Sequence, residues 1–214
     1  MPKVVDHDQR RVELVNATWR IIARQGIEGA TMREIAAEAG FANGALKPYF
    51  PTKDDLLTFA FGHVFSQTSR RMRDATAGKA GLAALRAYCL EILPLDDIRL
   101  SEARIVIPFW QKALTDPQKA AEHENSMLQW RATMREQLGE ARELGELRGS
   151  VPDDEVTGLL MNFVLGAQIT AVLSPAENSP DQLVAQLDGY LGLFTADLFS
   201  TSVEKRRDKP GALG

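Results

Sequence analysis

The sequence predicts an all-α protein of about nine helices. Apolar residues recur at three- and four-residue spacing through most of its 214 residues. The breaks between these runs carry turn chemistry, as in "LPLDD", "TDPQ", "LRGSVPDD" and "LSPAENSPD". No segment reads as a convincing strand, and no internal repeat is found.

Taken in order, Val12, Val15, Trp19 and Ile22 define a first helix over 8–25, ended by Gly26. "TMREIAAEAG" opens with Thr31 and has Glu34 three places on, a capping box whose hydroxyl and carboxylate satisfy free amides at a helix start. Gly40 closes this short second helix, and Ala42 or Asn43 opens a third that ends near Tyr49. Thr52 with Asp55 caps a fourth, running to residue 76. "TAGKAG" is a loop, followed by helices at 81–93, 97–114, 117–146, 153–173 and 180–200. Pro108 inside "RIVIPFW" predicts a kink. The polar tail 201–214 reads as disordered.

Composition narrows the function. The net charge is −4, which argues against a basic coat over the whole surface. Residues 1–57 hold 8 Lys/Arg and 8 Asp/Glu, leaving 17 and 21 for the rest, so the negative charge lies in the later part. Within 39–53 the only charges are Lys47 and Lys53, both suited to phosphate contact. No uninterrupted apolar run reaches about 18 residues, so no membrane span is expected. The N-terminus does not read as a signal peptide. Cys89 is the single cysteine, which excludes an internal disulfide and fits a reducing cytoplasm.

Residues 31–50 form helix, tight turn, helix. Ile35, Ala39, Phe41, Leu46 and Tyr49 or Phe50 supply the buried side, and Gly40 sits at the sharp turn. This is the layout of a helix-turn-helix, whose second helix enters the major groove. Spacing alone fits an ordinary αα-hairpin as well.

"GATMREIAAEAGFANGALKPYFPTKDDLL" resembles the N-terminal signature of the TetR family of bacterial transcriptional regulators. The resemblance covers about 50 residues and rests on order: Thr before the second helix, Ala-Gly at the turn, then Gly44, Leu46, Tyr49-Phe50-Pro51, Lys53 and Leu56. It implies a helix-turn-helix DNA-binding head at 1–52 and a helical effector-binding and dimerisation domain at 53–200. It also implies site roles. Thr31 and Arg33 meet phosphates at the start of the second helix. Asn43, Gly44 and Lys47 face the groove, with Gly44 letting the backbone approach the bases. Tyr49 and Lys53 bind phosphates. Base edges would be read by Asn43 and Lys47, since phosphate contacts position and base contacts specify. Lys47 equally suits a phosphate or a solvated surface.

The departure is "LKPYF". The family usually has an aromatic at 47 and a polar or aromatic residue at 48; here stand Lys47 and Pro48. Proline removes the hydrogen bond back to the Gly44 carbonyl and pushes Lys47 toward an extended shape. A short reading helix with altered base contacts is expected.

Residues 92–149 resemble, more loosely, the BetI-like subgroup, named for a choline-responsive repressor but shared by regulators of many ligands. Effector-pocket candidates are Phe61, Phe65, Tyr88, Glu91, Glu102, Phe109, Trp110 and Trp130, with Ile92, Met127 and Met134 beside them. Met127, Trp130, Met134, Leu138 and Ala141 also form a stripe at helical spacing that suits a core. Glu91 or Glu102 near aromatic rings could hold a cationic ligand. Dimer-interface candidates on the last two helices are Leu159, Phe163, Gly166, Leu187, Tyr190 and Phe194. Two such helices from each chain make a four-helix bundle.

No P-loop, glycine fingerprint, His-Glu-x-x-His or Gly-x-Ser-x-Gly is present, so neither an enzyme nor a cofactor is expected. His7, His63 and His123 are too scattered for a metal. The expected partners are double-stranded DNA, a second copy of the chain and a small-molecule effector. The expected function is a homodimeric repressor released from a palindromic operator. The alternative is a small-molecule-binding helical protein with a weak or vestigial DNA-binding head.

Overall fold

Helix starts are fixed by short-range chemistry, and the computed structural model realises most of them. It describes residues 7–42, 44–148 and 151–195. Asn43 and the tail fall outside this set. The elements are α1 (His7–Gly29), α2 (Met32–Glu38), α3 (Lys53–Thr76), α4 (Gly81–Ile92), α5 (Asp97–Ala113), α6 (Pro117–Glu143), α7 (Asp153–Leu173) and α8 (Pro180–Thr195). A run of consecutive turns at 44–49 stands where the remaining short helix is expected. No strand occurs among the described residues.

Both expected capping boxes form, Thr31 with Glu34 and Thr52 with Asp55. Asp96 caps α5 by accepting from the Arg99 amide, and Asp116 caps α6 by accepting from the amides of Gln118 and Lys119. The first turn of α7 carries Asp153, Asp154 and Glu155, which suit the positive end of its dipole. Helix α4 has no such local cap. Its free amides are met from far along the chain: Gly81 donates to Glu140 and Leu82 to Glu146.

Boundaries depart from expectation at glycines. Gly26 takes φ 72°, so α1 is interrupted there and resumes to Gly29 instead of stopping. Gly145 takes φ 72° and ends α6 at Glu143, short of 146. The amides of Gly145 and Glu146 then close on the carbonyls of Arg142 and Ala141, which is a Schellman motif. Helix α5 runs through Pro108 to Ala113.

Two apolar cores result. The first joins Leu14, Val15, Ile21, Ile35, Leu46 and Phe50 to the first half of α3 and to Ile105, Val106 and Phe109 of α5. The second gathers α4, α6, α7 and α8 around Leu85, Met134, Leu138, Leu160 and Leu187. Helix α3 runs through both, with Leu56 to Val64 in one core and Met72 in the other.

By length and composition α7 is apolar enough to cross a membrane, against the expectation that no apolar stretch of that length exists. In this fold 44% of its most apolar stretch is buried inside the protein. Its polar Thr157 and Gln168 are buried there too.

Candidate DNA-contact face and effector cavity

The head is braced before any ligand arrives. Arg20 and Arg24 of α1 donate to the two oxygens of Glu38 at the end of α2, at 2.7 and 2.6 Å. These bonds, Arg24's first, hold the Glu38 carboxyl down at about 2. Thr31 donates to the Glu34 carboxylate at 2.7 Å and accepts from the Glu34 amide at 3.2 Å, so its hydroxyl serves the cap. That bond is the main reason the Glu34 carboxyl titrates below its ordinary value.

Arg33 and Lys47 are exposed and make no salt bridge among the described residues. Tyr49 is half-buried, its ring 5.2 Å from His7 and 5.9 Å from Phe41. Lys53 turns back on the head and donates from Nζ to the Ile27 carbonyl at 2.7 Å. Gly44 takes φ 86°, and a Cβ there would meet nothing within 4 Å. Its glycine answers a backbone requirement, whatever it also does for approach to bases.

The turns at 44–49 close without the bond that Pro48 forbids. Lys47 donates to Gly44 at 3.4 Å, Tyr49 to Leu46 at 2.9 Å and Phe50 to Leu46 at 2.8 Å. Leu46 and Phe50 are thereby buried in the head core, while Lys47 and Pro48 are exposed.

A cavity of about 30 Å³ lies between α3, α5, α6 and α7 and the end of α4. That volume accommodates one or two waters. Phe61, Phe65, Glu102, Trp110 and Trp130 line it, together with Ile92 and Met127. Phe109 instead backs it: its ring stacks on Phe61 at 3.9 Å and 5°. Tyr88 lines a separate groove with Gln129 and Thr133, and burial pushes its phenol up. Met134, Leu138 and Ala141 of the stripe are fully buried core, whereas Met127 and Trp130 also reach the cavity.

Sequence reading missed Val64, Thr68, Arg99, Val106 and Gln168 in the lining. The signal for two of them was present. Phe61, Val64, Phe65 and Thr68 follow the spacing of one helix face, so naming the two aromatics implied the other two.

The wall's polar side is an ion-pair cluster. Arg71 grips Glu102 with two bonds of 2.9 and 2.7 Å and reaches Glu91 at 3.2 Å. Arg99 holds Asp96, the Leu90 carbonyl and, at 3.4 Å, Glu91. Glu102 is buried, and its paired geometry offsets the cost of keeping a carboxylate from water.

On α7 and α8, Leu159 and Tyr190 are exposed, Phe163 and Phe194 half-buried, and Leu187 is buried in the chain's own core. Phe163 and Tyr190 touch at 5.0 Å between ring centroids. Ile169, Leu173 and Leu193, which the sequence reading did not single out, are exposed on the same helices. Gly158, Gly166, Gly189 and Gly192 face open space.

A braced head of α1, α2 and the turns at 44–49, joined to a helical domain with an internal cavity, has the architecture of a helix-turn-helix regulator. Residues 14–58 match the family described as bacterial regulatory proteins, tetR family, and residues 81–195 match the BetI-type transcriptional repressor C-terminal family. The chain belongs to the TetR family of transcriptional regulators, with a BetI-type C-terminal domain.

It is 38% identical over 110 residues to the HTH-type transcriptional regulator PksA of Bacillus subtilis, covering 51% of this chain and 54% of PksA. It is 33% identical over 131 residues to the transcriptional regulator BetI of Burkholderia cenocepacia, covering 59% and 66%. The matches thus span about half to two thirds of the curated relatives' lengths. Among solved structures, a transcriptional regulator from Rhodococcus superposes with a TM-score of 0.75 at 29% identity, covering 86% of this chain and 95% of that one. A regulator from Saccharomonospora viridis, solved with choline, shares the fold with a TM-score of 0.79 at 20% identity, covering 86% and 96%.

Proposed function

We propose that this chain is a cytoplasmic homodimeric repressor, released from a palindromic operator by a small molecule bound in the cavity beneath α3. One observation carries the reading. The cavity is walled by both cores: Phe61, Val64 and Val106 belong to the head core, and Ile92, Met127 and Trp130 to the other. A ligand that forces these walls apart must shift one core against the other. It does so as an effector only if it binds the shifted state more tightly. A regulator of the same fold has been solved holding choline, so the architecture admits a small molecule.

Residues 1–52 act as the head in this reading, and 53–200 as the effector and dimer domain. Exposed Arg33 and Lys47 make the contacts to DNA, joined by Thr31, Asn43, Gly44, Tyr49 and Lys53. The apolar outer faces of α7 and α8 pair with those of a second copy, their glycines permitting close approach. Two heads then reach half-sites on one face of the duplex.

The test is a random-site selection with the purified chain at low and near-physiological salt. A recovered palindrome is expected. DNA retained only at low salt, with no consensus, would overturn the repressor reading and leave a head that grips phosphates alone.

A further inference from the structure

The charges around the cavity are already spent. Both carboxylate oxygens of Glu102 are taken by Arg71, and Glu91 lies between Arg71 and Arg99. Arg99 is itself part of the cavity wall. An entering cation would meet a guanidinium there and find no carboxylate without an arginine on it. Burial pulls the imidazole of His123, whose ring lies 5.9 Å from that of Trp110, below its ordinary value.

The groups left unspent are donors. The indole nitrogens of Trp110 and Trp130 are both buried with no hydrogen-bond partner, and both residues line the cavity. The Nδ1 of His123, on the ring beside Trp110, also has no partner, and it donates or accepts according to its tautomer. An indole N–H can only donate. A buried donor left unmade is costly, so a molecule bringing an acceptor to it gains more than hydrophobic contact. Thr68, whose hydroxyl accepts from Arg71, and Gln168 complete the polar lining, and the rest is aromatic and aliphatic, with Phe65 stacked on Trp130 at 5.4 Å.

We propose that the cavity takes an uncharged, ring-containing molecule bearing a carbonyl-type oxygen, which accepts from the indole N–H groups of Trp110 and Trp130. This deepens the effector reading and rests on it. The present 30 Å³ is too small for a ring, so the ligand enters as the walls separate.

Three probes of similar size separate the chemistries: acetophenone, with ring and carbonyl; ethylbenzene, with ring alone; and benzyltrimethylammonium, with ring and cation. Each is added to the full chain while the thermal midpoint and indole fluorescence are followed, since a ligand of the native state raises that midpoint. Acetophenone is expected to stabilise most and the ammonium least. Trp130→Phe keeps the ring and removes the donor. It is expected to weaken acetophenone about threefold to tenfold and to leave ethylbenzene unchanged. Trp110→Phe supplies the same comparison if the first variant folds poorly.

A preference for the ammonium overturns the proposed ligand class while leaving the effector reading standing. Equal binding of acetophenone and ethylbenzene, or binding of none of the three, also overturns the class. Stabilisation by acetophenone without any change in DNA retention supports the class and overturns the effector reading instead.

Discussion

The Lys53 ammonium donates to the Ile27 carbonyl at 2.7 Å, tying the first residue of α3 to the last turn of α1, beyond its interruption at Gly26. This bond spans 26 residues of sequence and closes the head on itself. Lys53→Ala is expected to cost about 1.5–3 kcal/mol of stability, the worth of a hydrogen bond from a charged donor. It is also expected to weaken binding to all DNA sequences alike and reduce the salt slope by about one. Chemical denaturation and a salt titration check the two effects separately. An unchanged slope with lost stability would assign Lys53 to bracing alone.

The Glu38 clamp predicts an acid limit for the head. Its carboxyl is held at about 2 against an ordinary 4.5, so the native state favours the ionised form. The stabilisation is fully present above the ordinary value and is lost as pH falls from 4.5 toward 2. The thermal midpoint of the wild type minus that of Glu38→Gln should be constant above pH 5 and shrink through that window. A difference that grew on acidification would reverse the sign assigned here.

Gly81 and Gly139 should respond oppositely to alanine. Gly81 takes φ 58°, and a Cβ there would lie 2.2 Å from the Glu146 oxygen that caps α4. Gly81→Ala is expected to destabilise by about 1–3 kcal/mol. Gly139 lies inside α6 with nothing within 4 Å of an added Cβ. Gly139→Ala should stabilise by about 0.5–1 kcal/mol, because alanine loses less backbone freedom on folding. Urea denaturation of the two variants decides both signs.

The outer faces of α7 and α8 predict the oligomeric state. Leu173 is 74% exposed and Leu193 49% exposed, so in a lone chain neither contributes much to a core. Leu193→Glu should convert a dimer to a monomer in light scattering, with helicity unchanged. A wild-type chain that is monomeric at micromolar concentration would sink the bundle.

Much of this architecture was legible because it is local. The capping boxes at Thr31 and Thr52 occupy four residues each and formed as read. Of the aromatic candidates chosen by residue type, Phe61, Phe65, Trp110 and Trp130 line the cavity, while Tyr88 and Phe109 do not. What escaped was long-range or conformational. Glu102 in an apolar helix demanded a partner, but nothing in the sequence says that Arg71, 31 residues earlier, is that partner. The capping of α4 by Glu140 and Glu146 spans 59 and 64 residues. The run at 44–49 carries helical spacing but closes as turns, with Gly44 at positive φ and Pro48 lacking a donor.

The stacked pair Phe61 and Phe109 bears on how such a protein can be divided. Ile105, Val106 and Phe109 close the head core, though they lie more than fifty residues beyond the head. A fragment cut after residue 52 would leave Leu14, Ile35 and Phe50 facing water where α3 and α5 had covered them. The head is therefore not a portable module. Transplanting it onto another regulator's body requires carrying across the α5 surface that roofs it, and exchange between relatives should succeed only where both pieces travel together.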